Sequence, residues 1–391
     1  MKKVKVAFFA EILIEDSDGA SRTMFQIIKR IDPQKFQFLF ICGTGPEDLF
    51  GFECFRLPSV TIPVNANYRM ALPQFARPAL QQKLQSFAPD VVHIATPSLL
   101  GQFALKYALR NQLPVISIYH THFISYIDYY LRYASFMIGF VKTRVASTQR
   151  SFYNHCDRVY IPSESIAREL IDTGIKSSRI RIWKRGIDLT LFSPHKRDPA
   201  FIRKLTGNDL PAILFASRLV WEKNLDTLFR VYDLIVEKKI ACNIIVAGDG
   251  AAMKACQSRM KEAVFVGKAD HTALSVLYAS STVFLFPSVS ETYGNVVIEA
   301  MASGLPCVIA DGGGSKDFIT QGQNGFKCEP CNAADYVAKI ERLLQDKELR
   351  EKFREEGLRY SRELDWHRLA QVYFNDVGKL ALGRNQTSAV A

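Results

Sequence analysis

Two glutamates stand eight positions apart in SETYGNVVIEAMASGLP, Ser290–Pro306. An ionised carboxylate set in so apolar a segment needs a partner, because burying an unpaired charge is costly. TVFLFPS reads as a strand, SETYG as the loop at its carboxyl end, and Asn295 to Ser303 as the following helix. Glu291 then falls in the loop and Glu299 about one turn into the helix. The Tyr293-Gly294-Asn295 turn presents free backbone N–H groups at a helix N-terminus, which suits anionic or hydroxylated groups. A carboxylate beside a strand–helix crevice can accept hydrogen bonds from ribose hydroxyls. The small residues AMASG after Glu299 let the helix pack closely on a sheet.

Other strand ends carry matching chemistry. In ILFASRLVWEKNLDTL, Arg218 ends a strand and Lys223 precedes a helix. An arginine fork and a lysine point charge suit a diphosphate, although the same residues also fit a solvated charged turn. PVISIYH ends at His120, where an imidazole points into a cleft and can donate or accept a hydrogen bond near neutral pH. His122, two residues on, also fits a purely structural histidine. Asp18-Gly19-Ala20-Ser21 opens a helix, where glycine allows close backbone approach to a phosphate or sugar oxygen. An ordinary helix cap explains that turn equally well. Arg218, Lys223 and the two glutamates, taken together in one domain, look like a nucleotide-sugar site.

Such residues need strand ends to hold them, and the sequence supplies many. VKVAFFA, FQFLFICG, DVVHIA, PVISIYH, RVYIPS and RIRIWK alternate with helical patterns such as Ala20–Ile31, Pro73–Phe87 and Leu99–Asn111. After SPHKRDPAF the alternation restarts with AILFASR, NIIVAGD, AVFVG, TVFLFPS and PCVIAD. Strand–helix alternation marks parallel sheets, and fully apolar strands fit sheets covered on both faces. The expectation is two doubly wound, Rossmann-like α/β domains, 1–195 and 196–364, facing across a cleft. The end is helical from Ala333 to Glu363. A last helix then begins near 365, in a segment 365–391 that includes the tail and crosses back to the first domain.

Composition narrows the class. The chain has 391 residues, 48% hydrophobic and 23% charged, which is ordinary for a globular protein. Glu11, Glu15 and Asp16 follow the first apolar run, so it reads as a buried strand rather than a signal peptide. The run from His271 to Ser290 is broken by Pro287 and by Ser280-Ser281-Thr282, so no membrane span is expected. Cys328 and Cys331 are spaced like half a metal site, but no second pair completes it and a surface turn is expected. Cysteine usage points to the cytosol. The net charge is +11, and residues 1–188 carry 24 Lys/Arg against 15 Asp/Glu. That bias calls for an anionic partner: a membrane surface, a phosphate-bearing ligand or nucleic acid.

The motifs resemble the retaining family-4 glycosyltransferases of GT-B fold over nearly the whole chain. The resemblance rests on Asp18-Gly19, His120, WKRGIDLTLFSP, SRLVWEKN, FVGKAD, and ETYGNVVIEAMASGLP followed by GGGSKDFI. FRLPSVTIPVNANYRMALP and YHTHFISYIDYYLRY look like the branch of GDP-mannose-dependent α-mannosyltransferases and sulfoquinovosyl-diacylglycerol synthases. The resemblance implies that Arg218 and Lys223 neutralise the departing diphosphate and that Glu299 holds the ribose. Glu291 would lie by the donor sugar, with the backbone of Thr292, Tyr293, Gly294 and Asn295 contacting sugar or phosphate. Gly267 and Lys268 would lie near the base, Gly19 near the diphosphate, and His120 on the transferred sugar. No metal and no cofactor are expected, because no Asp-x-Asp motif sits in a suitable loop. Three positions depart from the pattern: Ser217 and Ala20 replace glycines, and Tyr293 stands where Phe is frequent.

The expected reaction is front-face displacement with retention, moving a hexose from GDP-mannose or a UDP-hexose to an acceptor hydroxyl. Lys223→Ala should then lower kcat by ~100-fold or more. The stretch from Tyr130 to Cys156 mixes aromatic, aliphatic and basic residues like an interfacial helix, and equally like a core helix with a basic face. With the basic first half it points to a lipid-linked acceptor and peripheral contact at the inner face of a membrane. A nucleotide-sugar epimerase of the same fold, or transfer to a soluble acceptor, remains the alternative. No base-reading element for nucleic acid is recognisable.

Overall fold

The fold is that of a computed structural model, which describes residues 2–15, 17, 19–62, 65–120 and 138–388. Asp18, Thr121, His122 and the first part of the Tyr130–Cys156 stretch lie outside the described residues.

The first half contributes β1 (Val4–Ile12), β2 (Phe36–Thr44), β3 (Asp48–Leu49), β4 (Phe52–Arg56), β5 (Ser59–Ile62), β6 (Asn65–Ala71), β7 (Val91–Ile94), β8 (Val115–Ile118), β9 (Arg158–Ile161) and β10 (Ile180–Ile182). Eight of these form one sheet in the order β10-β9-β8-β7-β1-β2-β4-β3. Every pair in it is parallel except β3 with β4. The remaining two, β5 and β6, make an antiparallel hairpin within the FRLPSVTIPVNANYRMALP stretch. The second half contributes β11 (Ala212–Ala216), β12 (Asn243–Ala247), β13 (Val264–Gly267), β14 (Val283–Phe286), β15 (Cys307–Ala310) and β16 (Gly325–Cys328). They form a parallel six-stranded sheet in the order β13-β12-β11-β14-β15-β16.

Burial explains why these runs are apolar throughout. Successive residues of a strand face opposite sides of the sheet. Ala7, Phe9, Leu39 and Ile41 enter one core, while Val6, Phe8, Phe38 and Phe40 enter another on the opposite face. The second face is covered by the last helix, Trp366–Ser388, through Trp366, Tyr373, Val377 and Ala381. Its polar groups are matched as well: Tyr373 Oη lies 2.9 Å from His93 Nδ1, and buried Asp376 accepts from Tyr160 Oη at 2.6 Å and from Arg181. The chain's end is thereby bonded into its first domain.

The pattern from Ala333 to Glu363 is two helices, Ala333–Gln345 and Lys347–Arg362. Asp346 leaves helical geometry at ψ 98° and its side chain accepts from Leu349 N, so it stops one helix and caps the next. Cys328 is buried at the end of β16, where burial pushes its thiol up to about 12, and Cys331 is exposed in a left-handed turn at φ 67°. Among the described residues no group of His, Cys, Asp or Glu could hold a metal ion, and no helix is long and apolar enough to cross a membrane.

Candidate active site

In an open parallel sheet a crevice forms where neighbouring strands send their connections to opposite sides. In the second sheet that point lies between β11 and β14, since β12 and β13 continue one way and β15 and β16 the other. The loops after these two strands carry Arg218, Lys223 and Glu291. After β11 a single 3-10 turn, Trp221–Lys223, ends at Asn224 in a left-handed conformation, φ 57°. Asn224 Nδ2 donates to Pro287 O at 3.1 Å, and Ser290 Oγ donates to Glu222 O at 2.8 Å, so the two loops are fastened together.

Within that frame the Lys223 ammonium is bonded to the Glu291 carboxylate, and Ser288 Oγ donates to the same oxygen at 3.2 Å. Burial raises the Glu291 pKa, but the Lys223 charge and bond, the Ser288 bond and the Arg218 charge outweigh it, and the net shift is downward. Glu291 is therefore an ionised acceptor. Arg218 Nη2 donates to Glu222 at 3.0 Å, yet its side chain is 64% exposed and can still turn towards a ligand.

The helix Asn295–Ala302 begins at Gly294, whose φ of 86° favours glycine. Space demands glycine as well, because a Cβ there would lie 2.6 Å from Ser315 Cβ. The glycines of GGGS press on the Glu291 loop: Gly314 N donates to Glu291 O at 2.6 Å, and a Cβ on Gly314 would lie 2.1 Å from Thr292 O. Glu299 is buried on this helix and accepts from Tyr278 Oη at 3.2 Å. Burial pushes its carboxyl upward, against the opposing pull of Arg22, His271 and the Tyr278 bond. Arg22 comes from the first domain, with Nη1 at 3.7 Å from Glu299 and in contact with His271.

The first domain approaches the same crevice. The helix Gly19–Ile28 follows β1, and a Cβ on Gly19 would lie 3.3 Å from Asn295 Nδ2. Two helix N-termini thus meet, and both bring partial positive charge. His120 follows β8 and is buried, with neither ring nitrogen hydrogen-bonded among the described residues. Burial, the Arg185 charge and His93 hold its pKa well below the ordinary histidine value, so the imidazole is neutral and can either donate or accept. Gly267 and Lys268 stand apart. They end the edge strand β13, where Gly267 takes φ 69° and accepts from Gly248 N, and Lys268 is exposed. Among the described residues no hydrogen bond or ion pair joins them to the Glu291 cluster.

A family model described as Glycosyltransferase Family 4 matches residues 17–240, and one described as Glycosyl transferases group 1 matches residues 197–360. The chain belongs to glycosyltransferase family 4. A GDP-mannose-dependent alpha-mannosyltransferase of Mycobacterium tuberculosis is 30% identical over 83% of this chain and 83% of its own length. The sulfoquinovosyl transferase SQD2 of Arabidopsis thaliana is 31% identical over 82% of this chain, but only 62% of that relative's length is spanned. Anabaena HepE, solved with UDP and glucose, superposes with a TM-score of 0.73 at 17% identity, covering 96% of this chain and 99% of that one. Sucrose-phosphate synthase from Thermosynechococcus elongatus gives a TM-score of 0.76 at 19% identity, covering 99% and 100%. The fold is GT-B, and the chain is a glycosyltransferase that takes sugar from a nucleotide-sugar.

Several residues of this glycosyltransferase's crevice escape sequence reading. Glu222 accepts from Arg218 and Ser288 donates to Glu291, but each resembles an ordinary loop residue. Tyr278, His271 and Arg22 surround Glu299 from two other helices, and only the folded chain brings them together. Arg185 lies within WKRGIDLTLFSP, a stretch that did stand out, yet nothing local marks it as buried.

Proposed function

We propose that this glycosyltransferase moves a hexose from GDP-mannose or a UDP-hexose to an acceptor hydroxyl on a glycolipid or other lipid-linked acceptor, with retention and without a metal. The observation that carries this is the crevice between β11 and β14, where Lys223 and Arg218, each held by a carboxylate with donors to spare, meet the facing starts of two helices. The nucleoside diphosphate sits there, with ribose hydroxyls on Glu299 and Gly267 and Lys268 bordering the base. Glu291 and the Thr292–Asn295 backbone line the sugar, and His120 reaches it from the other domain. The acceptor oxygen bonds to the anomeric carbon on the face from which the diphosphate leaves. The bond from that carbon to the diphosphate oxygen breaks, and the acceptor proton passes to a diphosphate oxygen. Lys223 and Arg218 stabilise the charge that develops on the leaving group.

The lipid-linked acceptor is supported by similarity to enzymes such as an alpha-monoglucosyldiacylglycerol synthase of Streptococcus pneumoniae. It is also supported by the basic first half and the helix Ile138–Asn154, which displays Phe140 at 74% exposure beside exposed Arg144. We place the enzyme peripherally on the inner face of a membrane. The test is thermal shift with UDP, GDP, ADP and their sugars, followed by sedimentation with anionic and neutral liposomes. A ligand that binds only the native state raises the melting temperature by mass action, so one nucleotide should stand out. No response to any nucleotide would refute the donor site, and sedimentation indifferent to anionic lipid would refute the membrane contact.

A further inference from the structure

Tyr293 and Arg185 grip each other from opposite domains. Tyr293 follows the Glu291 loop in the second domain and is buried at 2% exposure. Its hydroxyl donates to the Arg185 carbonyl oxygen at 2.8 Å. The Arg185 guanidinium in turn lies 5.3 Å from the Tyr293 ring centroid and donates to the His120 carbonyl oxygen at 3.4 Å. Arg185 is itself buried, at 6% exposure.

Both partners are held by further contacts. A Cβ on the next residue, Gly186, would lie 2.6 Å from the Trp366 ring, and Ile187 N donates to Leu364 O at 3.1 Å. The Tyr293 ring meets Phe318 edge-on at 4.6 Å. Three chain segments therefore share one fixed joint: the end of β8 with His120, the interdomain connection with Arg185, and the donor loop with Tyr293. A phenylalanine at 293 would keep the ring contacts and lose the hydroxyl bond across the domains.

We infer that Arg185 and Tyr293 are positioning residues for the transfer, setting the His120 side of the cleft at a fixed height against the Glu291–Gly294 loop. The inference rests on the reading of this crevice as the donor site. Neither residue has to touch the nucleotide for this. What they set is the registration of the two walls between which the sugar reacts, and displacements of about 1 Å can cost ~100-fold in rate.

The experiment uses the full chain and compares Tyr293→Phe, Arg185→Lys and Arg185→Met with the parent. Nucleoside diphosphate affinity is measured by calorimetry with UDP and GDP, melting temperature by scanning, and transfer kinetics with the donor sugar that works. The expected result is a fall in kcat of at least ~10-fold for Tyr293→Phe, with nucleotide affinity within about twofold of the parent. Arg185→Lys should retain more activity than Arg185→Met, since it keeps the charge and loses the planar contact on the ring. Wild-type kcat in both Tyr293→Phe and Arg185→Lys would overturn the inference, as would a loss of nucleotide affinity as large as the loss of kcat. Should the parent itself bind neither nucleotide, the donor-site reading fails, which is a separate outcome from normal binding with unaltered kcat in the variants.

Discussion

Lys223 and Glu291 form an ion pair between the loops that follow adjacent strands of the second sheet. The lysine side chain is only 5% exposed, so its positive charge is held in place rather than borne on a mobile stem. The Lys223 charge helps to lower the Glu291 pKa and keep that carboxylate ionised, and the ammonium has hydrogens left for a diphosphate oxygen.

Removing one partner should therefore have two separable effects. Lys223→Ala leaves Glu291 without its counter-charge, and breaking a buried pair costs about 3–5 kcal/mol. The double variant Lys223→Met with Glu291→Gln should recover most of that stability in denaturant titration. Its kcat should stay at least ~100-fold down, because the charge facing the leaving group is still missing. A double variant that regains both stability and turnover would show the pair to be structural alone.

Gly294 carries two constraints at once. Gly294→Ala should destabilise the protein by about 1–3 kcal/mol through its positive φ, with more from the Ser315 contact. Adding Ser315→Gly should relieve only the contact, so denaturant midpoints should show a partial recovery. Full recovery would mean that the backbone angle is not a constraint.

The buried histidines predict a pH dependence. Burial holds the His93 pKa down to about 3 and His120 well below its ordinary value. Below about pH 6.5 the unfolded chain binds protons at both positions that the folded chain does not, so stability falls as pH falls. With both histidines contributing, the slope is up to about 2.7 kcal/mol per pH unit. His120→Gln should remove roughly half of it between pH 6.5 and 5. An unchanged slope in His120→Gln would show that His120 takes up its proton in the folded state.

The last helix should behave as part of the first domain. Asp376→Ala leaves the buried Tyr160 hydroxyl without its acceptor and the partly exposed Arg181 without its carboxylate, a loss of about 1–3 kcal/mol in chemical denaturation. Loss below 1 kcal/mol would mean that water replaces the carboxylate at little cost.

Much of the fold is legible in the sequence because both faces of each sheet are covered. VAFF, FLFI and VFLF are apolar without alternation, and the doubly wound arrangement follows from the helices between such runs. The hairpin β5–β6 is less legible, since Pro, Asn and Arg interrupt its pattern. The break at Asp346 depends on a single capping residue inside a charged helical run. In the site, chemistry concentrated at strand ends draws attention to Glu291, Lys223 and His120. Lys223 and Glu291 are 68 residues apart, however, and their bond is a product of strand order. Arg22 and Tyr278 are harder still, because each looks like an ordinary helix residue until the domains are assembled around Glu299.

The proposed function stands on transfer with retention from a nucleotide-sugar. The most direct measurement is the anomeric configuration of the first product, read by proton NMR coupling constants after the donor identified by thermal shift is incubated with enzyme and lipid acceptor. Retention gives a product with the same anomeric configuration as the donor sugar. An inverted product would contradict it.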